Sequence, residues 1–404
     1  MDEVSIVGAG IGGLTLALTL HEVGIACRVY EASSEIRPIG VGINVLPHAA
    51  KELAALGLRD LLVSSGIATK ESAFFNRFGQ LIYREPAGVA AGYDWPQVSI
   101  HRGALQMLLL DAVRARLGPD SVLTGHQCIG VEQDEDSAAV LFAGREPVRG
   151  SAVIACDGIH SAIRKQFYPS EGAPVYSGYN MWRGVTVWPR FLSGATMVRA
   201  GWLANGKMVI YPIRDLDDGK QLVNWVAEIE TPRHLERDWN RSGRLDDFLP
   251  AFADWHFDWL DVPALIRGAE TVLEFPMVDQ DSLPRWTFGR VTLLGDAAHP
   301  MVPRGSNGAG QAILDARAMA DCLSTTADVP AALTRYEALR LPPTTNVVLT
   351  NRRNPPDAIL REVYERTGDQ PFARIEDVIA EAELRAITDR YKTVAGYDKK
   401  ALAR

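Results

Sequence analysis

No run of lysine or arginine rises above the background of this 404-residue chain, whose formal net charge is −8. That argues against a nucleic acid or an anionic membrane as partner, because either would need a dense basic surface. Cysteine is scarce. Cys27, Cys128, Cys156 and Cys322 are widely spaced and form no C-x-x-C pair and no metal-ligand pattern. Scattered thiols in a chain of this size fit a reducing compartment, so a cytoplasmic protein without metal is expected. Internal repeats and low-complexity segments are missing, which sets aside solenoids and disordered linkers. A long uninterrupted apolar run is missing too. Residues 4–20 come nearest, but Asp2 and Glu3 precede them and four glycines break them. They read neither as a secretion signal nor as a comfortable bilayer span. A soluble monomer or homodimer is the expectation.

What is present is ordinary for a globular protein, with 47% hydrophobic and 23% charged residues. The length suggests two or three domains. Two textures alternate along the chain. Residues 3–8 read as a buried parallel strand, about 12–23 as a helix and 26–31 as a second strand, a β-α-β unit. Residues 47–64 look helical, as do about 102–117. Residues 70–100 and 175–278 are richer in aromatics and in short alternating runs, the pattern of antiparallel strands, with one helical patch near 244–254. The fold class expected is α/β, a Rossmann-like domain made of 1–69, 101–174 and 279–350. A β-rich (α+β) substrate domain of 70–100 and 175–278 is inserted in it. Residues 351–404 read as a helical C-terminal tail without catalytic signature. Ligand pockets favour the interface of such a pair.

Three segments carry chemistry. Gly8-Ala9-Gly10-Ile11-Gly12-Gly13 fits G-x-G-x-x-G between a strand and a helix. Gly8 permits the tight turn, Gly10 a close approach to pyrophosphate, and Gly13 close packing of helix on strand. Glu31 closes the second strand and is placed to accept ribose hydroxyls. The motif points to an adenine dinucleotide without choosing between NAD and FAD. Cys156-Asp157-Gly158 ends another buried strand. Asp157 alone is equally a plain helix cap. Leu294-Gly295-Asp296-Ala297-Ala298-His299-Pro300 ends a third strand, and Gly305, Asn307, Gly308 and Gly310 lead into a helix near 309–320. A carboxylate beside bare helix N–H groups suits a polyol phosphate. His299 reads as a structural residue of that turn.

Together, and in this order, the segments resemble the flavoprotein aromatic hydroxylases, the single-component FAD monooxygenases of the para-hydroxybenzoate hydroxylase fold. The resemblance covers about 1–350. Met181-Trp182-Arg183-Gly184, Asn224-Trp225, Pro276-Met277-Val278-Asp279 and Gly308-Ala309-Gly310-Gln311 are similar to the phenazine hydroxylase branch. The resemblance implies FAD contacts at Gly8, Gly10, Ile11, Gly12, Gly13, Glu31 and Ala32 for the ADP part. It implies further contacts at Arg37, Gly42, Ile43, Arg102, Gln106 and Cys128. Asp157, Asp296, Gly305, Gly308 and Ala309 complete the set. The chain departs from the family where Asn307-Gly308-Ala309-Gly310-Gln311 replaces the usual Gly-Gln-Gly-x-Asn, and at His48.

The chemistry implied is hydroxylation of an aromatic or N-heteroaromatic substrate, carboxylated or phenolic, with or without decarboxylation. NAD(P)H, bound transiently, would reduce FAD, and O2 would give a flavin C4a-hydroperoxide. The flavin carries the difficult chemistry and the protein supplies orientation and a dry pocket. The residues expected at the substrate are His48, Arg183 and Tyr211 as catalytic groups, with Trp182, Trp225 and Pro303 lining the pocket. Each has a blander reading. His48 suits a solvent-facing helix start, Arg183 a structural ion pair, and the aromatics a core. Another flavin oxidoreductase on the same fold is the alternative function, a reductase or a halogenase, although no Trp-x-Trp-x-Ile-Pro halogenase signature is found. A non-catalytic FAD or metabolite binder is a third reading.

Overall fold

The computed structural model describes residues 3–231, 241–353 and 355–403. The part of the expected β-rich region at 232–240 lies outside them. A six-stranded sheet forms the first layer, in the order Thr287–Phe288, Val291–Leu293, Ala152–Ala155, Val4–Val7, Cys27–Tyr30 and Val122–Leu123. All neighbours are parallel except the first pair. Val4–Val7 and Ala152–Ala155 are buried at every position, as strands covered on both faces must be. The first helix, Ile11–Glu22, packs between the sheet and the helix Gly308–Thr325, and their apolar side chains form one continuous core.

An eight-stranded sheet forms the second layer. Its order is Arg241–Ser242, Val272–Asp279, Val175–Trp188, Gln221–Glu230, Lys207–Asp215, Thr196–Gly201, Glu71–Phe75 and Leu81–Pro86. Strands from 71–86 and from 175–279 thus share one sheet. Strand Val98–His101 does not join it. It pairs instead with Gly42–Val45 and Ile67–Ala68 in a small sheet of its own.

Side chains alternate across the large sheet, because successive residues of a strand point to opposite faces. Trp182, Val198, Ala200, Met208, Ile210, Trp225 and Ala227 face outward into a core completed by Phe248, Phe252, Trp255, Leu265 and Ile266. The patch near 244–254 makes two short 3-10 turns, Leu245–Asp247 and Leu249–Phe252, in place of the expected helix. Phe248 breaks it at φ −139°, and its ring stacks on Trp182 at 4.9 Å. Packing has overridden local propensity there.

The C-terminal residues wrap back over both layers. The helix Val329–Arg353 is followed by Ala358–Thr367, Glu381–Ala395 and Lys399–Leu402. Ile359, Leu360, Val363 and Leu384 pack on Phe74, Ile82 and Tyr83 of the large sheet. Among the described residues no helix is long and apolar enough to cross a membrane.

Candidate active site

A cavity of about 570 Å³ lies between the two layers. Its first wall is mostly backbone. Gly10, Ile11 and Gly12 line it at the start of the first helix, and Gly308, Ala309 and Ala312 at the start of the helix Gly308–Thr325. Neither helix has a side-chain cap or an acidic residue in its first turn, so both present bare N–H groups and the positive end of a helix dipole. A Cβ on Gly10 would meet nothing within 4 Å, which leaves open space where a phosphate would approach. Gly8 turns at φ +104°, and a Cβ there would stand 2.4 Å from the Cys156 carbonyl oxygen. A Cβ on Gly13 would stand 2.0 Å from the Gly8 carbonyl oxygen. The glycine loop is held from outside the lining. Ala9 N donates to Glu31 at 2.9 Å, and Gln106 Nε2 donates to Ala9 O at 2.8 Å.

Two carboxylates, Asp157 and Asp296, face the cavity from this side. Asp157 accepts from Ala162 N at 2.9 Å through one oxygen, while the other is buried without a partner. Burial raises its pKa against the opposing donors of Ser161 and the backbone. A buried acceptor without a donor fits a ligand hydroxyl. Asp296 is exposed to the cavity at the turn before the second helix start. That turn is braced from behind. His299 Nε2 meets Asp315 Oδ2 at 2.6 Å, Gly295 N donates to the same oxygen at 3.2 Å, and Arg340 Nε donates to Asp315 Oδ1 at 2.7 Å. Burial opposes the Asp315 charge, but His299 and Arg340 outweigh it and hold its pKa low. His299 is therefore structural in the turn. Uncapped helix starts, an open cradle at Gly10 and an orphan carboxylate oxygen together fit an extended flavin dinucleotide.

The loop at 40–44 crosses the cavity and is tied to the large sheet. Gly42 N donates to Asn224 Oδ1 at 2.7 Å. Gly42 O accepts from Arg183 Nη2 at 2.6 Å and from Tyr211 Oη at 2.8 Å. Burial raises the Tyr211 pKa, although Arg183 beside it works the other way. Arg183 and Tyr211 thus line the cavity, as expected, and hold the loop where Gly42 and Ile43 face it. Arg183 Nε stays buried without a partner. Arg102, Pro303 and Gly305 also line the cavity.

Several expected residues stand elsewhere. Trp182 and Trp225 are corrections: they face the outer core, not the cavity, because their neighbours Met181, Arg183, Asn224 and Val226 take the inner face. Trp225 Nε1 donates to Thr186 Oγ1 at 3.1 Å. His48 is a correction too. It is 1% exposed, packed under Gly310 and stacked on Tyr397 at 5.6 Å, so it neither reaches the cavity nor faces solvent. Asn307 lies beside the ring, but neither ring nitrogen reaches a partner in hydrogen-bonding geometry. Burial, helped by Arg340, pushes its pKa down to about 3, and the ring stays neutral. Ala32 and Arg37 are exposed outside the lining, with Arg37 Nε donating to Glu35 at 2.8 Å. Cys128 also lies outside it. Its thiol donates to Gly130 O at 3.5 Å, and burial with Asp157 pushes its pKa up to about 12.

The second wall was missed in the sequence. Met181, Val209, Val226, Leu273, Phe275 and Met277 make an apolar floor. Beside it lie Arg199, Lys207, Glu228, Arg304 and Asp357, all less than a tenth exposed. Lys207 Nζ donates to Glu228 Oε1 at 2.7 Å and pairs with Asp357, whose other oxygen meets Arg199 Nε at 3.1 Å. Burial opposes ionisation of Asp357, but Lys207 and Arg199 outweigh it and hold its pKa low. The inward parity of Lys207, Val209 and Tyr211 along one strand was available as a signal. Nothing local marks Asp357, which the C-terminal segment brings from far along the chain.

Comparison with known proteins agrees with this geometry. The FAD binding domain family matches residues 1–350. Phenazine 1,6-dicarboxylic acid hydroxylase PhzS of Lysobacter antibioticus is 43% identical, over 97% of this chain and 97% of its own. The 3-amino-4-hydroxybenzoate 2-monooxygenase of Streptomyces cremeus is 33% identical, over 87% and 86%. The crystal structure of Klebsiella pneumoniae HpxO with FAD and uric acid superposes with a TM-score of 0.79 at 26% identity, covering 99% and 97%. The chain belongs to the FAD-binding-domain family, among its aromatic hydroxylases, and FAD is its cofactor.

Proposed function

We propose that this enzyme hydroxylates a planar aromatic or N-heteroaromatic acid, taking electrons from NAD(P)H and one oxygen atom from O2. The observation that carries the reading is the apolar floor, which lies opposite the flavin wall and ends at buried charges. A flat ring can lie on Met181, Phe275 and Met277 while a polar substituent reaches the charged side. The kind of substrate in the relatives' names, a phenazine dicarboxylate and an aminohydroxybenzoate, supports it. Loss of the carboxylate as CO2 accompanies the reaction when the hydroxylated carbon bears it.

When bound, FAD supplies the electrons and the activated oxygen. The glycine loop and the first helix start would hold the diphosphate, Asp296 and Asp157 sugar and ribityl hydroxyls, and the 42–43 backbone the ring system. Arg183, Tyr211 and Asn224 keep that backbone in place, so they are positioning residues for the cofactor face. Tyr211 remains a proton donor, because burial raises its pKa. Arg183 Nε, like Asn224 Nδ2, is buried without a hydrogen-bond partner and would suit a substrate oxygen. The apolar floor excludes water from the reacting carbon.

The reading is tested by adding aromatic and N-heteroaromatic acids to the purified yellow enzyme and following NADH and NADPH oxidation with product mass. Stimulated oxidation with a gain of one oxygen, or a gain of oxygen with loss of CO2, is the expected result. Turnover of the same compounds under strict anaerobiosis would overturn it in favour of a reductase.

A further inference from the structure

Of the three cations beside the apolar floor, two are held in close ion pairs. Arg199 donates to Ser72 and pairs with Asp357. Lys207 pairs with Glu228 and Asp357. Arg304 differs. It is 8% exposed, yet its Nε and Nη2 have no hydrogen-bond partner. These two atoms form one edge of the guanidinium, the edge that grips a carboxylate with two parallel bonds. The same edge is filled elsewhere in this chain: Arg352 Nε and Nη2 each donate to Asp279 at 2.8 Å. At Arg304 the nearest carboxylate, Glu228 Oε2, stands 3.8 Å from Nε, and that oxygen too is without a hydrogen bond.

The charge count points the same way. Arg199, Lys207 and Arg304 face Glu228 and Asp357, three cations against two carboxylates, all buried. The surplus is positive, Arg183 with Gly42 O in the same cavity adds to it, and a buried charge left unpaired is costly. The place is informative as well. Arg304 lies between Pro303 and Gly305, which line the cavity at the start of the flavin-side helix, and its guanidinium sits 5.0 Å from the centre of the Tyr179 ring. It stands where the backbone wall meets the apolar floor.

We propose that Arg304 is the specificity residue for the substrate carboxylate, gripping it with Nε and Nη2 while the ring lies on the apolar floor. This rests on the aromatic-acid reading above. The carboxylate supplies the missing negative charge and completes the buried ion network. A ring with a neutral substituent in its place leaves the fork unfilled. Glu228 competes for the same edge and keeps it from binding anions too tightly.

The test is equilibrium binding to the FAD-loaded enzyme, read as the shift of the flavin absorbance spectrum, with phenazine-1-carboxylate and the uncharged phenazine-1-carboxamide as probes. Wild type is expected to prefer the carboxylate by about tenfold or more, the size of a charge-assisted pair. Arg304→Gln is expected to weaken carboxylate binding about tenfold to a hundredfold and leave carboxamide binding nearly unchanged. Arg304→Lys keeps the charge without the fork and falls between. Glu228→Gln, which removes the competitor, tightens carboxylate binding. FAD affinity and melting temperature of each variant are measured beside it. Equal loss for carboxylate and carboxamide, or a loss of FAD affinity as large as the loss of carboxylate affinity, overturns the proposal, since the fork would then serve the fold or the cofactor. If wild type binds both probes equally, the proposal falls while the hydroxylase reading stands. If no aromatic compound perturbs the flavin or stimulates NAD(P)H oxidation, both fall.

Discussion

The two walls of the cavity are made of different material. The flavin side is backbone, in the form of glycines, a crossing loop and two uncapped helix starts. The sheet side is side chain, with an apolar floor and a buried ion network. The backbone behind that wall tolerates no added atom at Gly8 or Gly13, and the wall needs few particular side chains. A side-chain wall rests on pairings that stabilise only as a set. On the proposed reading, cofactor binding depends on shape and substrate choice on charge. Substitutions on the two walls should fail in different ways.

The largest effect is expected from Gly8→Ala. Its Cβ would stand 2.4 Å from the Cys156 carbonyl oxygen on a backbone at φ +104°. Colourless or insoluble protein is the expected outcome. A yellow variant with unchanged melting temperature would show that the backbone wall yields more readily than its geometry suggests. Next comes Lys207→Met, which leaves Glu228 short of its partner and Asp357 with Arg199 alone. Urea unfolding should show a loss of about 3–5 kcal/mol, the cost of breaking a buried pair. The double variant Lys207→Met/Glu228→Gln should recover part of it, and full additivity would contradict the network.

Asp296→Asn should raise the FAD dissociation constant about tenfold to a hundredfold, as for a lost charged hydrogen bond. Flavin fluorescence on titration measures it, and the carboxylate to carboxamide preference should not move. His48 predicts a pH effect. Its folded pKa falls from the ordinary 6.5 to about 3. Because the folded value is the lower one, the unfolded chain binds the extra proton between them. His48 costs nothing at pH 7, and stability is lost as pH drops below about 6.5, by up to about 1.4 kcal/mol per pH unit. Urea unfolding at pH 7.0 and about 5.5 should show this loss in wild type and a smaller one in His48→Gln. The smallest change in ligand binding is expected for Trp225→Phe. Loss of the bond to Thr186 lowers the melting temperature, and probe affinity should stay within about twofold, since the ring faces the outer core.

The same contrast decides how much of the molecule was legible in its sequence. The β-α-β start, the buried strands and the three glycine-containing segments could be read because local spacing encodes them. Gly10, Asp157 and Asp296 meet at one cavity although far apart in the chain. The pocket residues were harder. Trp182 and Arg183 were both expected in it, yet neighbours on a strand point to opposite faces. That conflict was present in the sequence, and the structure resolves it for Arg183. His48 failed for another reason: nothing in a helix start tells whether a later helix will cover it, and here Gly310 and Tyr397 do.

Much of the glycine-rich wall was legible along the chain, because a glycine turn, a strand end and a helix start are local events whose residues lie side by side, whereas Ala32, Arg37 and Cys128 fall outside the lining. The sheet-side wall took form only on folding. Arg199, Lys207, Glu228, Arg304 and Asp357 come from three strands, a loop and the C-terminal segment. Buried charges gain their meaning from partners across space, and no spacing along the chain records them.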